Sequence, residues 1–501
     1  MATWFRVLRS WRHRSMPSSL MIGLLYALLL AVLYSIVGHI PVNEGRGWDG
    51  QVYLQYIELL GHGQAIVGDP YRSIRMSGFL PLIGASALGV PANSLSTAQA
   101  VLNIILISTS AGMLHDTLRQ LGVAPRAALL SLATGLLAWP LLIMPFYYPV
   151  LSDNVALVVS CLCLWCWTRG LQFPLYTLLA YSVWVLPGLF LIPLALAAMP
   201  RNFDHSSATS FSPRLTLLLF AVSLPFVLSL VISLAGQLSD DEVASHSAHL
   251  GGQTALISLR TLSFMALVTS ITVVVWLGAR SVVDSSFWKS VRPTSALVAA
   301  LVLAASAVAM YLLIDWTNGF QGPPLLHYMF MQSLAAPFKP LVAHFLSFGP
   351  VIIIAMAGCI AWGLGKYRYL PKALLASLVC FLPLMLVGSE SRQWVGALPV
   401  AIVVAAIMPL SLLQRLCCLA FALLLALPSL WLTPALGRAL GQGASFQSSD
   451  WQLYFGRNGP WMSIETYELG AFMLAAFCLT LTACWAQAQR RSRVLEDSER
   501  T

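Results

Sequence analysis

The sequence predicts an all-α protein, a polytopic bundle of transmembrane helices. Three observations point there. Hydrophobic residues make up 58% of the 501-residue chain and charged residues only 9%, against about 25% charged in a soluble domain. Apolar runs recur from end to end, each near the roughly 20 residues that span a bilayer as a helix. These runs are continuous rather than alternating, so each satisfies its backbone as a helix and not as a barrel strand.

The elements follow in order. A basic tail, 1–16, carries Arg6, Arg9, Arg12 and Arg14 and leads into a first span near 17–38. Spans near 97–114 and 127–145 flank a turn with Arg119 and Arg126, and one near 153–168 ends at Arg169. The stretch 172–199 lies between Arg169 and Arg201 and is broken by Pro187-Gly188. It is expected to be a short helical hairpin that enters and leaves on one side, since breakers are tolerated where protein surrounds them. Further spans fall near 214–235, 258–279, 294–314, 342–363, 371–387, 394–411, 414–432 and 467–487, before a tail 488–501. The segment 77–90 is too short to span and fits a half-helix or interfacial helix. The expected fold is one integral-membrane domain over 1–501, about 12 full spans plus the hairpin, with a long first extracytoplasmic loop, 39–95.

The basic amino terminus places that end in the cytoplasm by the positive-inside rule. Alternating from there, the cytoplasmic segments collect most Lys and Arg and the outer segments most Asp and Glu. Both termini are then cytoplasmic, and a bacterial inner membrane is the expected location. The net charge of +9 reflects this topology and implies no nucleic-acid partner. No small-residue cleavage site follows the first apolar run, so a cleaved signal peptide is not expected. All nine cysteines, among them Cys161, Cys163, Cys166, Cys417 and Cys418, fall in predicted helices. They fit small buried hydrophobes rather than disulfides or thiolate ligands. No Walker-type loop is present, which argues against an ATP-driven pump.

The polar chemistry concentrates in the outer loops. Gly47-Trp48-Asp49-Gly50-Gln51-Val52-Tyr53 follows the first span, and Tyr71-Arg72-Ser73-Ile74-Arg75 comes soon after. Asp49 has two readings: a cap on a helix over 51–60, or a general base held between Trp48 and Tyr53. Arg72 and Arg75, spaced to share one helical face, either snorkel to headgroups or grip a membrane-borne phosphate.

This first-loop pattern, Trp48-Asp49 with Tyr53 followed by the apolar Phe79-Leu80-Pro81-Leu82, resembles the GT-C superfamily of integral-membrane glycosyltransferases, particularly its mannosyltransferase-like members. The likeness is specific over about residues 47–83, and the chain has no Asp-x-Asp pair. The resemblance implies a polyprenyl-phosphate sugar as donor and Asp49 as catalytic base, with Trp48 and Tyr53 beside it.

Other outer groups add candidates for substrate binding. Asp153 either joins the site or caps its own helix with Ser152. Glu390 and Arg392 lie in a tight turn between spans, where ionisable groups are usually paired and often functional. Lys339 either meets a lipid phosphate or snorkels. Asp240 and Asp241 with His246 and His249 offer ligands for a divalent metal or form a solvated acidic loop. Trp451, Tyr454, Phe455, Trp461 and Tyr467 suit interface anchoring or sugar stacking.

The leading expectation is a glycosyltransferase whose partners are a lipid-linked sugar donor, membrane lipids and a glycan, lipid or protein acceptor. No cofactor is firmly implied beyond that possible metal. A flippase or transporter of a lipid-linked glycan, or an envelope polysaccharide polymerase or ligase, is the alternative.

Overall fold

A computed structural model describes residues 16–200, 213–249, 254–319, 324–367, 369–441 and 459–500. The basic stretch through Ser15, Arg201, and the loop holding Trp451, Tyr454 and Phe455 lie outside the described residues. All secondary structure among the described residues is helical. Seven helices are long and apolar enough to cross a bilayer: Ser18–Val37, Ala92–Gln120, Leu218–Ala235, Ile257–Val283, Pro293–Leu313, Leu412–Ala439 and Ile464–Gln487. They mark the chain as an integral membrane protein.

The other expected spans are short or broken, and in two of them, 127–145 and 342–363, proline stands at the start of the new helical pieces, because it lacks a backbone donor and clashes with a preceding turn. The run 127–145 divides into Pro125–Leu136, Trp139–Leu142 and Met144–Tyr147, with Pro140 and Pro145 at the second residue of the latter two. The run 342–363 divides into Lys339–Phe348 and Pro350–Gly363. The run 394–411 becomes a turn of 3-10 helix, Ser391–Trp394, followed by Ala397–Ile407. Ser152–Thr168 and Lys372–Val387 are continuous, at 17 and 16 residues, below the length of the seven long helices. Pro350–Gly363, Ser152–Thr168 and Ala397–Ile407 are largely buried by their neighbours, which makes such breaks tolerable at membrane depth.

The segment 172–199 is a hairpin, as its Pro-Gly break predicts, built of Gln172–Ser182 and Leu191–Ala198. The Trp167 indole donates to Met199 O at 3.0 Å, bringing its two ends together. Its tip reaches the first inter-helix segment, where Tyr181 OH donates to Ser77 O and Ser77 Oγ to Trp184 O. That segment is itself folded, with Trp48–Gly61 packed on Leu80–Ala87.

Helix Met16–Val37 runs against Ala92–Gln120 at close range. A side chain at Gly112 would place its Cβ 2.7 Å from the backbone oxygen of Ser19, and a backbone atom inside a helix cannot swing away. Ser19 Oγ and His115 Nδ1, 2.8 Å apart, join the same pair. Gly112→Val is expected to pry the helices apart at a cost of about 1–3 kcal/mol, as overpacking does. Gly84, with open space at its Cβ, accepts alanine without loss. Thermal unfolding of the two variants in detergent checks the contrast.

The main apolar core runs through the central helices, and a second cluster joins Pro213–Ala235, Arg260–Val283 and Leu325–Ala335 through Val227, Val231, Leu267, Met329 and Phe330. This flanking group brings Tyr328 and Gln332 to the turn 388–394.

Candidate functional site

Asp49 owes its place to local backbone geometry. Gly47 sits at φ 71°, a left-handed conformation that favours glycine, and a Cβ there would overlap the Tyr148 ring. The turn starts helix Trp48–Gly61 with Asp49 in its first turn and no side-chain cap, so the capping role is not adopted. The Asp49 backbone N–H donates instead to Tyr148 OH at 2.7 Å. Tyr148 is held in turn by buried amides. Asn103 Nδ2 donates to Pro145 O and Pro149 O, both at 2.9 Å, and Asn154 Nδ2 donates to Tyr148 O at 3.3 Å.

The Asp49 carboxylate faces two guanidinium groups. Arg392 Nη2 lies 3.1 Å from Oδ2, and Arg72 Nη2 lies 3.9 Å from Oδ1. Arg72 is anchored by Asp69, which accepts from its Nη1 at 2.9 Å and from its backbone N–H at 3.1 Å. Burial opposes the charge on Asp69, but bonds from Arg72 and Tyr56 outweigh it and hold its pKa below the ordinary value. Arg392 also faces Glu390 at 3.5 Å, and Tyr328 OH donates to the other Glu390 oxygen at 3.3 Å.

Arg75 forms the floor. It is buried, its guanidinium stacks 4.0 Å over the Tyr71 ring, and its Nη2 donates to Gln393 Oε1 at 3.1 Å. Gln393 Nε2 donates to Tyr71 OH. Asp153, buried in the first turn of Ser152–Thr168, has Leu151 and not Ser152 at its N-cap. Its charge acts on both Arg75 and Arg392. Burial works against the charge on Arg392, yet Asp49, Asp153 and Glu390 outweigh it and raise its pKa well above the usual value.

The turn that carries Glu390 and Arg392 is pinned from below by His344. Its Nε2 meets two carbonyls, Met385 O at 2.8 Å and Gly388 O at 3.1 Å, so that nitrogen carries the proton. Nδ1 then accepts from Ser391 Oγ at 2.9 Å. Gln332 Oε1 accepts from both the backbone and hydroxyl of Ser389.

The cluster is graded in exposure. The Asp49 and Arg72 side chains are each 30% exposed and form the mouth, against 12% for Arg392 and 11% for Glu390 below them. Three buried donor atoms here, Arg75 Nε and Arg392 Nε and Nη1, have no hydrogen-bond partner. Orphaned guanidinium donors beside a partly exposed carboxylate are chemically suited to an anion with several oxygens, such as a phosphate.

The structure thus gathers Asp49, Arg72, Arg75, Asp153, Glu390 and Arg392 at one site. Tyr53 lies behind it, buried against Phe79 at 5.1 Å between ring centroids, with burial pushing its phenol up to about 12. Trp48 packs half-buried on the edge of the core. Trp461 adds a ring 5.9 Å from the Arg392 guanidinium, whereas Tyr467 donates to Pro337 O.

The acidic segment 240–249 is a helix in which Asp240 pairs with Arg260 at 3.4 Å and Glu242 accepts from Ser239. His246 sits edge-on to Tyr328 at 5.3 Å, and the side chain of His249 lies outside the described residues. Among the described residues no three metal-ligating side chains converge.

Lys339 stands apart. It is 1% exposed, and burial alone brings its pKa down to about 7. The unfolded lysine titrates near 10.4, so between about 7 and 10.4 the unfolded chain holds a proton that the folded one releases. Stability therefore rises with pH across that window, by up to about 1.4 kcal/mol per unit. Lys339→Met is expected to be more stable than wild type at pH 7 and to flatten this slope. Unfolding curves from pH 6 to 9 check it, and unchanged curves would refute the burial cost.

Sequence reading gives no role to Asp69, Tyr71, Tyr328, His344 and Gln393. Of these only Asp69 carries a local signal, an acid directly before proline at a helix start. The chain matches no family model, no curated protein and no solved structure.

Proposed function

We propose that the protein is a membrane glycosyltransferase of the GT-C type, transferring a sugar from a polyprenyl-phosphate donor to an acceptor hydroxyl at the extracytoplasmic face. The observation that carries this reading is the convergence of one accessible carboxylate, Asp49, with Arg72, Arg75 and Arg392, the last two of which hold buried donors without a hydrogen-bond partner. The reading includes the twelve-span topology with both termini cytoplasmic, in a bacterial inner membrane.

In the reaction, the acceptor oxygen bonds to the anomeric carbon while the bond from that carbon to the phosphate oxygen breaks. The hydroxyl proton passes to Asp49 as general base. The departing phosphate takes the electron pair, and Arg75 and Arg392 stabilise its charge. A lipid phosphate leaves as an anion, so no general acid is needed. Without donor, Asp49 is tied to Arg392 and Arg72 and is a poor base. The donor phosphate competes for those guanidinium groups and frees the carboxylate, so the acceptor is activated only when the donor is in place.

The test uses proteoliposomes containing the purified chain and polyprenyl-phosphate donors bearing radiolabelled hexose or pentose, with bacterial envelope glycolipids as acceptors. Label moving into the acceptor fraction supports transfer. Label that crosses the bilayer still attached to its lipid would replace this reading with the flippase. Growth of long glycan chains would replace it with the polymerase.

A further inference from the structure

The far end of the bundle carries a second concentration of charge, unrelated to the Asp49 site. Helix Lys372–Val387 ends next to the turn bearing Glu390, and its 16 residues rise about 24 Å. Lys372 is therefore close to one hydrocarbon thickness, about 30 Å, from the Asp49 end.

Four segments meet there around the Trp362 indole, which is 1% exposed. The Arg280 guanidinium lies 5.3 Å and the Lys372 ammonium 5.5 Å from its ring, and Phe287 packs at 6.2 Å. Such cation–π contacts fix both cations in place. The short helix Ser285–Lys289 adds Lys289, Arg292 follows it closely in sequence and Lys366 follows Trp362, all three exposed. The acid at this corner, Asp284, is already engaged. It pairs with Arg280 at 3.4 Å, and its Oδ1 accepts from Ser286 N and Oγ.

The apolar surface beside these cations is built for lipid. Trp288 is 56% exposed, with its indole N–H turned back to Val282 O at 2.8 Å. Val282, Val283 and Leu364 are exposed as well. Aliphatic residues, an interfacial indole and then cations is the order in which acyl chains, interface and phosphates are stacked in a bilayer. General membrane charge bias explains scattered Lys and Arg, but not two cations, Arg280 and Lys372, set against one buried indole.

We propose that this corner is a binding site for an anionic phospholipid. Its headgroup phosphate is held by Lys289, Arg292, Lys366 and Lys372, and its acyl chains lie along Val282, Val283 and Leu364. The site is independent of the glycosyltransferase reading.

The test is lipid retention. Full-length protein is extracted from mixed bilayers of phosphatidylglycerol and phosphatidylcholine, and the lipids kept after gel filtration are quantified by mass spectrometry. Wild type is expected to retain phosphatidylglycerol preferentially. Losing three surface cations, Lys289→Gln, Arg292→Gln and Lys366→Gln together, should weaken that preference on the order of 100-fold. The double variant Lys289→Gln/Lys366→Gln serves if the triple one is not monodisperse, with on the order of 10-fold weakening. Equal retention of both lipids by wild type, or a preference unchanged in the variants, would overturn the proposal. So would inorganic phosphate displacing the lipid at millimolar concentration, which would assign the cations to a soluble anion.

Discussion

Asp49→Asn is expected to slow sugar transfer by about 10²–10⁴-fold, the usual contribution of a positioned general base, with little change in folding. Asparagine keeps the shape of the side chain, and its oxygen still accepts from Arg392, 3.1 Å away in the wild type. It cannot take the acceptor proton. The side chain is 30% exposed, so water covers part of the lost charge and the stability change stays small. Initial rates of donor consumption, compared with melting curves of the same preparations, separate the two effects. Full activity in a folded Asn variant would remove Asp49 from the chemistry.

Arg392→Gln is expected to act on the fold itself. The Arg392 guanidinium is the group that touches both Asp49 and Glu390, and it also faces the charge of buried Asp153. Without it three carboxylates crowd a poorly solvated space. Removing one partner of a buried ion pair costs about 3–5 kcal/mol, enough to lower the melting temperature markedly. Adding Glu390→Gln relieves part of the repulsion, so the double variant should be more stable than Arg392→Gln alone. Thermal unfolding of the two single variants and the double variant gives the coupling. Additivity within about 0.5 kcal/mol would mean that the pair does not interact. Arg392→Lys should rescue only partly, because a single ammonium cannot reproduce a planar fork serving two acids.

The two variants rest on information of different kinds. Asp49, Arg72 and Arg75 stand out in sequence because charged residues are sparse in a chain that is 9% charged, and their nearness in sequence keeps them near in space. Glu390 and Arg392 are equally conspicuous as ions in a short turn, but their partner is not. Arg392 meets Asp49 across 343 positions, and nothing in either local segment encodes that meeting. Tyr328, Gln332 and His344 are harder still. A lone histidine or glutamine in an apolar helix looks like any buried polar residue until the carbonyls of 385–388 and the turn 389–391 are seen to surround it.

Membrane class and helical character are properties the sequence determined by itself. Both depend on local composition, because a backbone in lipid must close its own hydrogen bonds whatever surrounds it. The hairpin at 172–199 was legible for the same reason, through Pro187-Gly188 and the basic residues at its ends. The division of the expected spans at 127–145, 342–363 and 394–411 was decided only by tertiary structure. Proline weakens a helix anywhere, but it breaks one in a membrane only where neighbours shield the interrupted backbone, and hydropathy does not say which runs are so enclosed. Lys339 follows the same logic: its sequence allows a headgroup contact, and burial among other helices removes it from solvent.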